Sequence, residues 1–294
     1  MSTSASPRRH AVVVGIDGGA AAYRALDVAV EQAQRSHLPL HILHAIRNGL
    51  VPWTPERLQA HEDIAKRGYE RAVQAAPNLD ITYASHVEEP AAALVKASYR
   101  ASLVVIGAGG HDLPAAVLLG ATAHQVASHA RCPVMVVPDS SEWSTTGPVV
   151  VGVDAAEHSV PAVEFAFAEA SSRGAELIAV HTWWWEEPGP FLAGSEREDE
   201  WVGVAETQKV IVAEMLAGWQ EKYPDVTVHS TAVRGQAAVV LQQVSENAQL
   251  LVVGSRGRGG FVGLLIGSVS SRVLHQAKCP TVVVPSIRLT PPLG

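Results

Sequence analysis

Hydrophobic positions along the chain come as short β-branched runs, separated by stretches where apolar residues recur every three or four positions. The run 149–153 (Val-Val-Val-Gly-Val) is too short for a helix and uniformly apolar, so it predicts a buried strand. Behind it Ser159 is placed to cap a helix, and Pro161 suits the first turn, where a missing N–H costs nothing. Val163, Phe167 and Ala170 then fall on one helical face. Further strands are predicted at 177–181, 226–232, 250–253 and 281–284, with helices between them, and the first half runs the same way from 11 to 137. Strands alternating with helices imply parallel pairing through right-handed crossovers, and hence an α/β fold with helices on both faces of a doubly wound parallel sheet.

The pattern occurs twice. Val12-Val13-Val14-Gly15-Ile16-Asp17 returns 137 residues later as Val149-Val150-Val151-Gly152-Val153-Asp154, and His44 returns as His181. Beyond that point the spacing is 147: the strand ending at Gly107 returns ending at Gly254, and Cys132-Pro133 returns as Cys279-Pro280. Ten extra residues therefore lie in the second copy, assigned to 183–199, where Trp183, Trp184 and Trp185 read either as a lid over a ligand or as cover for the domain's own edge. A period this long means duplicated domains, not a solenoid. The polar stretch 139–147 is the linker, giving domains at 8–139 and 147–286, with the final strands 134–137 and 281–284 as the edges through which the copies pair.

Composition narrows the classes. A net charge of −7 carries no basic footprint for nucleic acid or an anionic membrane surface. Residues 1–10 contain Arg8 and Arg9 but no apolar stretch of signal-peptide kind, and no segment approaches the ~20 apolar residues of a membrane span, so the cytoplasm is the expected location. Cys132 and Cys279 are equivalent repeat positions and read as small buried hydrophobes. Among thirteen histidines, His37, His41 and His44 cluster, but His41 and His44 point to opposite faces of a strand, which argues against a shared metal.

In doubly wound sheets ligands bind beyond the carboxyl ends of the strands. Candidate chemistry therefore lies at 15–18, His44 and 107–110 in the first copy, and at 154–158, His181 and 254–260 in the second. The second copy reads Gly254-x2-Gly257-x9-Gly267, followed by Ser268 and Ser270, and a helix is predicted to start near Gly267. Glycines let backbone N–H groups approach a ligand, and a helix start offers unpaired N–H groups to an anion. Ser268, Ser270, Arg256 and Arg258 add donors and charge suited to a polyphosphate. The same residues also fit an ordinary tight loop with Ser268 as the helix N-cap. The loop lacks the Gly-Lys-Ser/Thr of P-loop enzymes, and the turn after the first strand lacks a dinucleotide fingerprint.

The two Val-Val-Gly-Ile/Val-Asp openings, the second strands carrying His44 and His181, the Gly-x2-Gly-x9-Gly elements and the closing Cys-Pro segments together resemble the universal stress protein family in its tandem form, over nearly the whole chain. The resemblance implies two Rossmann-like domains of the adenine nucleotide alpha hydrolase-like type, and ATP binding, with Mg, in a regulatory stress-response role. The ligand-holding positions it implies are Gly15, Asp17, Gly107, Gly110, Gly120, Ala121 and Thr122 in the first copy. In the second they are Gly152, Asp154, Thr182, Gly254, Arg256, Gly257, Gly267, Ser268, Val269 and Ser270. It also implies paired domains, further dimerisation and a regulatory protein partner.

The first copy departs from that pattern. Ser268 is matched by Ala121, Ser270 by Ala123, Arg256 and Arg258 by Gly109 and His111, and Gly235 by Glu88 with Glu89 beside it. Lost donors and a nearby carboxylate predict weaker ATP binding in the first copy. No nucleophile–base–acid set is identifiable, so no catalytic residue is expected, and at most slow ATP hydrolysis. A nucleotide-free interaction scaffold is the alternative reading, and a Rossmann-type oxidoreductase or transferase is weaker for want of the fingerprint.

Overall fold

The computed structural model describes residues 10–47, 54–109, 119–139, 143–154, 157–183, 198–257 and 266–286. The first unit runs β1 (Val12–Ile16), α1 (Ala20–Ser36), β2 (Leu40–Ala45), α2 (Pro55–Ala75), β3 (Ile81–His86), α3 (Pro90–Ser98), β4 (Leu103–Gly107), α4 (Ala121–His129) and β5 (Val134–Val137). The second repeats it with β6 (Val149–Val153), α5 (Val160–Arg173), β7 (Leu177–Trp183), α6 (Glu198–Lys222), β8 (Val228–Arg234), α7 (Ala237–Val244), β9 (Leu250–Gly254), α8 (Ser268–Gln276) and β10 (Thr281–Val284).

All ten strands form one sheet, in the order β3-β2-β1-β4-β5-β10-β9-β6-β7-β8. Within each unit every pairing is parallel, and the units join through a single antiparallel pair, β5 with β10. Met135 lies opposite Val282, its own equivalent in the repeat, with Val134 opposite Val283 and Val136 opposite Thr281 on either side. A local two-fold axis therefore passes through this pair. The pairing hides what would otherwise be an open edge on each five-stranded sheet.

The inner strands are buried on both faces, as helix-covered parallel strands must be, whereas the outermost strands β3 and β8 are only partly covered. One apolar layer holds α1 and α5 against the sheet through Leu26, Ala29, Val163 and Phe167. The opposite layer holds α3, α4, α7 and α8 through Leu94, Val126, Leu241 and Val273.

Three local expectations are corrected. Ser159 does not cap α5: a short 3₁₀ turn (Glu157–Ser159) precedes the helix, Ser159 has helical dihedrals, and its hydroxyl is held by Asp154 instead. β8 starts at Val228, two residues later than predicted, because Val226 closes a turn with its N–H donating to the Tyr223 carbonyl while its side chain stays in the core. Asp199, assigned to the inserted stretch, lies in α6, whereas Trp184 and Trp185 lie outside the described residues.

Candidate functional site

β1 sits between β2 and β4, and β6 between β7 and β9, so the chain direction across the sheet reverses at β1 and β6. Crossovers leave these strands on opposite sides, and a cleft opens at their carboxyl ends. In the first unit this cleft is a cavity of about 410 Å³. Its walls include Ile16, Leu43, Leu94 and Ile106, and its polar floor is Asp17, Gly107 and the first turn of α4 with Ala121 and Thr122.

Asp17 is set by the turn that starts α1. Its Oδ1 accepts the Gly19 N–H at 2.8 Å, and Gly18 between them has φ +88°, a conformation that costs glycine least. Gly107 is packed on α1: a Cβ there would stand 3.0 Å from the Ala21 carbonyl carbon and oxygen. Gly120 is the N-cap of α4 and donates its N–H to the Ala108 carbonyl at 2.7 Å, which ties the helix start to the end of β4. The N–H groups of Ala121, Thr122 and Ala123 follow it in the first helical turn, where an α-helix supplies no acceptor of its own. Gly110 and His111 lie outside the described residues.

The second unit repeats this construction. Gly267 caps α8 and donates to the Ser255 carbonyl at 2.7 Å. Ser268 begins the helix and is exposed, Val269 packs into the apolar layer, and Thr182 lies beside His181 near the end of β7, where its first-unit equivalent Ala45 lines the cavity. Arg256 and Gly257 are exposed, and a Cβ on Gly257 would reach 3.2 Å from Asp154 Oδ2, so the glycine loop and the strand-end carboxylate face each other. Arg258, Gly259 and Gly260 lie outside the described residues.

Five residues proposed from sequence for the ligand-binding strand ends have internal duties. The Ser270 hydroxyl, buried, donates to the Gly254 carbonyl at 2.7 Å, so its proton closes the loop. Gly15 and Gly152 make room for Leu94 and Leu241, whose methyl carbons would lie 2.9 and 3.0 Å from a Cβ at either glycine; Gly15 also lines the cavity. The strand-end histidines are braces. His44 Nδ1 meets the Ile16 carbonyl and His181 Nδ1 the Val153 carbonyl, each at 2.7 Å, so each Nδ1 carries the proton. That leaves His44 Nε2 to accept from His61 Nδ1 at 3.1 Å, while His181 Nε2 is 2.9 Å from Gln208 Oε1. Burial pushes His44 below the usual imidazole range, with the nearby Ile16 carbonyl opposing.

The carboxylates flagged in the first unit are paired. Arg47, on the cavity rim, holds Glu89 through two bonds of 2.7 and 2.9 Å, and Glu88 lies 3.9 Å from Lys96. Sequence reasoning missed a third carboxylate. Asp139, two residues past β5, lies so close to Gly109 that a Cβ there would collide with it, and it is held by Arg24 at 3.3 Å. Its signal was its place just beyond a strand's carboxyl end; it was read as linker instead.

Among the described residues no group of three or more His, Cys, Asp or Glu could hold a metal ion, and no helix is long and apolar enough to cross a membrane. Burial raises both thiols, Cys132 and Cys279, to about 12, which keeps them protonated and unreactive.

A duplicated Rossmann-like α/β fold, with a cavity at the first unit's reversal point and the same strand-end construction in the second, is the class these features define. The universal stress protein family profile matches residues 8–138 and 145–285. A universal stress protein of Mycolicibacterium smegmatis is 36% identical over 293 residues, covering 95% of this chain and 98% of the relative. One of Mycobacterium tuberculosis is 36% identical over 300 residues, covering 94% and 97%. The crystal structure of a universal stress protein from Archaeoglobus fulgidus superposes with a TM-score of 0.66 at 18% identity, covering 95% of this chain and 97% of that one. The chain belongs to the universal stress protein family, in its tandem two-domain form.

Proposed function

We propose that the chain is a regulatory protein that binds ATP, with Mg, in a stress-response role, the tighter site lying in the second unit between Asp154, the glycine loop after β9 and the start of α8. The observation that carries this reading is the anchoring of both helix starts. Gly120 and Gly267 each donate to the carbonyl just past their strand at 2.7 Å, which fixes a turn of N–H groups and its dipole at the cleft. In the second unit Arg256 and the Ser268 hydroxyl stand beside that turn, whereas the first unit has Gly109 and Ala121 there. Charge-assisted bonds of this kind contribute roughly 1.5–3 kcal/mol each. The strand-end aspartates suit ribose hydroxyls, which donate to a carboxylate. The reading assigns no catalytic residue, so bound ATP acts as a state signal and turns over at most slowly. The location expected is the cytoplasm, with a homodimer and a partner protein as its outputs.

The test is to denature the purified protein and identify what is released. Adenine nucleotide in the supernatant, or saturable Mg-ATP binding after its removal, is the expected result. No nucleotide and no binding would leave the nucleotide-free scaffold instead.

A further inference from the structure

The two units also differ at the opposite ends of their strands, away from the clefts. In the first unit α3 ends on Tyr99 and Arg100, both exposed. Tyr99 is 60% exposed, more than any other large hydrophobic side chain among the described residues. Arg131, exposed in the turn between α4 and β5, has its guanidinium carbon 5.7 Å from the centroid of the Tyr99 ring. Its backbone N–H donates to the Ser98 hydroxyl at 2.9 Å, and the His10 N–H donates to the Arg100 carbonyl at 2.7 Å. Backbone bonds thus hold all these residues at one corner.

The second unit has the same scaffold under different side chains. The Ser98 and Ser245 hydroxyls each donate to the carbonyl three residues back, Val95 at 2.6 Å and Gln242 at 3.2 Å. The N–H groups of Tyr99 and Glu246 likewise donate to Lys96 and Gln243, at 3.4 and 3.3 Å. Tyr99 and Arg131 are therefore the structural equivalents of Glu246 and Lys278. In the second unit the Lys278 ammonium donates to Glu246 Oε1 at 2.9 Å, so the corner is closed by its own ion pair. In the first unit an aromatic ring replaces that carboxylate. Among the described residues no carboxylate lies within ion-pair distance of Arg100 or Arg131.

The helix dipole favours cations at the carboxyl end of α3. It does not demand them, because α7 carries Gln243 and Asn247 where α3 carries Lys96 and Arg100. On a chain of net charge −7 this corner holds Lys96, Arg100 and Arg131 against one carboxylate, Glu88, 3.9 Å from Lys96.

We infer that this corner is a docking surface for an acidic peptide segment of a partner protein. A carboxylate of that segment takes on Arg131 the place that Glu246 takes on Lys278. Arg100 offers a second planar fork matched to carboxylate geometry, and Tyr99 supplies a rigid aromatic face of the kind that anchors interfaces. The surface gives the partner protein of the reading above a place on the chain. It does not rest on nucleotide binding, because it lies at the opposite ends of the strands from both clefts.

The experiment is fluorescence anisotropy of a fluorescein-labelled hexaglutamate peptide, titrated with the full chain at low ionic strength. Wild type is compared with Tyr99→Glu, Tyr99→Phe, Arg131→Ala and Lys278→Ala. All three positions are exposed, so the variants should fold, as circular dichroism would check. Tyr99→Glu gives Arg131 an internal carboxylate, as in the second unit. Wild type should bind, and raised salt should release the peptide. Tyr99→Glu and Arg131→Ala should each weaken binding about fivefold or more, with Tyr99→Phe and Lys278→Ala within about twofold of wild type. No binding by wild type, binding unchanged in Tyr99→Glu, or an equal loss in Lys278→Ala overturns the inference. A labelled RNA oligonucleotide or phosphatidylserine vesicles bound more tightly than hexaglutamate, and lost in the same variants, also overturn it. None of these results alters the nucleotide-release test, so the two readings fail separately.

Discussion

Gln32 and Glu169 occupy the same position in the two repeats, and they hydrogen-bond to each other across the junction between the units. Arg173 completes the contact, donating through Nε to Glu169 Oε2 at 2.9 Å, through Nη2 to Gln32 Oε1 at 3.0 Å and through Nη1 to Gln249 Oε1 at 3.1 Å. Two identical side chains on a two-fold axis would be two amides or two repelling carboxylates. Divergence to one amide and one carboxylate, with Arg173 supplied from the second unit and Arg35 of the first donating to Gln32 Oε1 at 3.3 Å, resolves that conflict and makes the junction specific to a tandem chain.

The ion pair is enclosed: the Arg173 and Glu169 side chains are 10% and 8% exposed. Removing one member leaves the other buried without its counter-charge. Glu169→Ala should lower stability to chemical denaturation by about 3 kcal/mol. A loss below about 1 kcal/mol would mean the network is not what holds the units in register.

Acid should destabilise the protein through His41, which is fully buried and pushed down to about 4, mainly by desolvation and also by His86. The unfolded chain binds this proton from near pH 6.5, and the folded chain only near 4. The His41 contribution is therefore complete above about pH 6.5 and is lost as pH falls toward 4, by about 3 kcal/mol in all. Urea midpoints measured between pH 7.5 and 4.5 should show it, and His41→Leu should flatten part of the slope. An unchanged slope would remove His41 from the explanation.

The two equivalent helix ends give a stabilising prediction. Gly174 closes α5 at φ +59°, and His37 closes α1 at φ +54°, the same left-handed conformation with a side chain attached. His37→Gly should raise stability by about 1 kcal/mol, read from thermal or urea unfolding. A loss of stability would show that the His37 side chain contributes more than its backbone strain costs.

Gly107 and Gly267 both belong to the glycine element, yet their surroundings differ. A Cβ at Gly107 meets α1 backbone at 3.0 Å, whereas at Gly267 the nearest atom is the Ser255 carbonyl oxygen at 3.4 Å, an ordinary contact. Gly107→Ala should cost about 1–3 kcal/mol, and Gly267→Ala less than about 0.5 kcal/mol. Equal unfolding midpoints for the two variants would contradict this packing.

The repeat, the parallel alternation and the pairing edges were legible because β-branched runs and their spacing survive duplication. β5 and β10 were readable as edges since each copy's last strand had no later partner of its own. The duties of His44 and His181 were not readable: their Nδ1 partners are carbonyls 28 residues away in sequence, brought close only by strand register. Arg24 with Asp139, 115 residues apart, was invisible for the same reason. Ser159 misled because a serine before a proline fits a cap, while the nearby Asp154 carboxylate competes for its hydroxyl and wins.

A crystal structure grown with excess Mg-ATP tests the central claim most directly. Phosphate oxygens should lie about 3 Å from the backbone N–H groups of Ser268 and Val269, with the ribose against Asp154. The second cleft filled by its own side chains, with no nucleotide bound there, would contradict it.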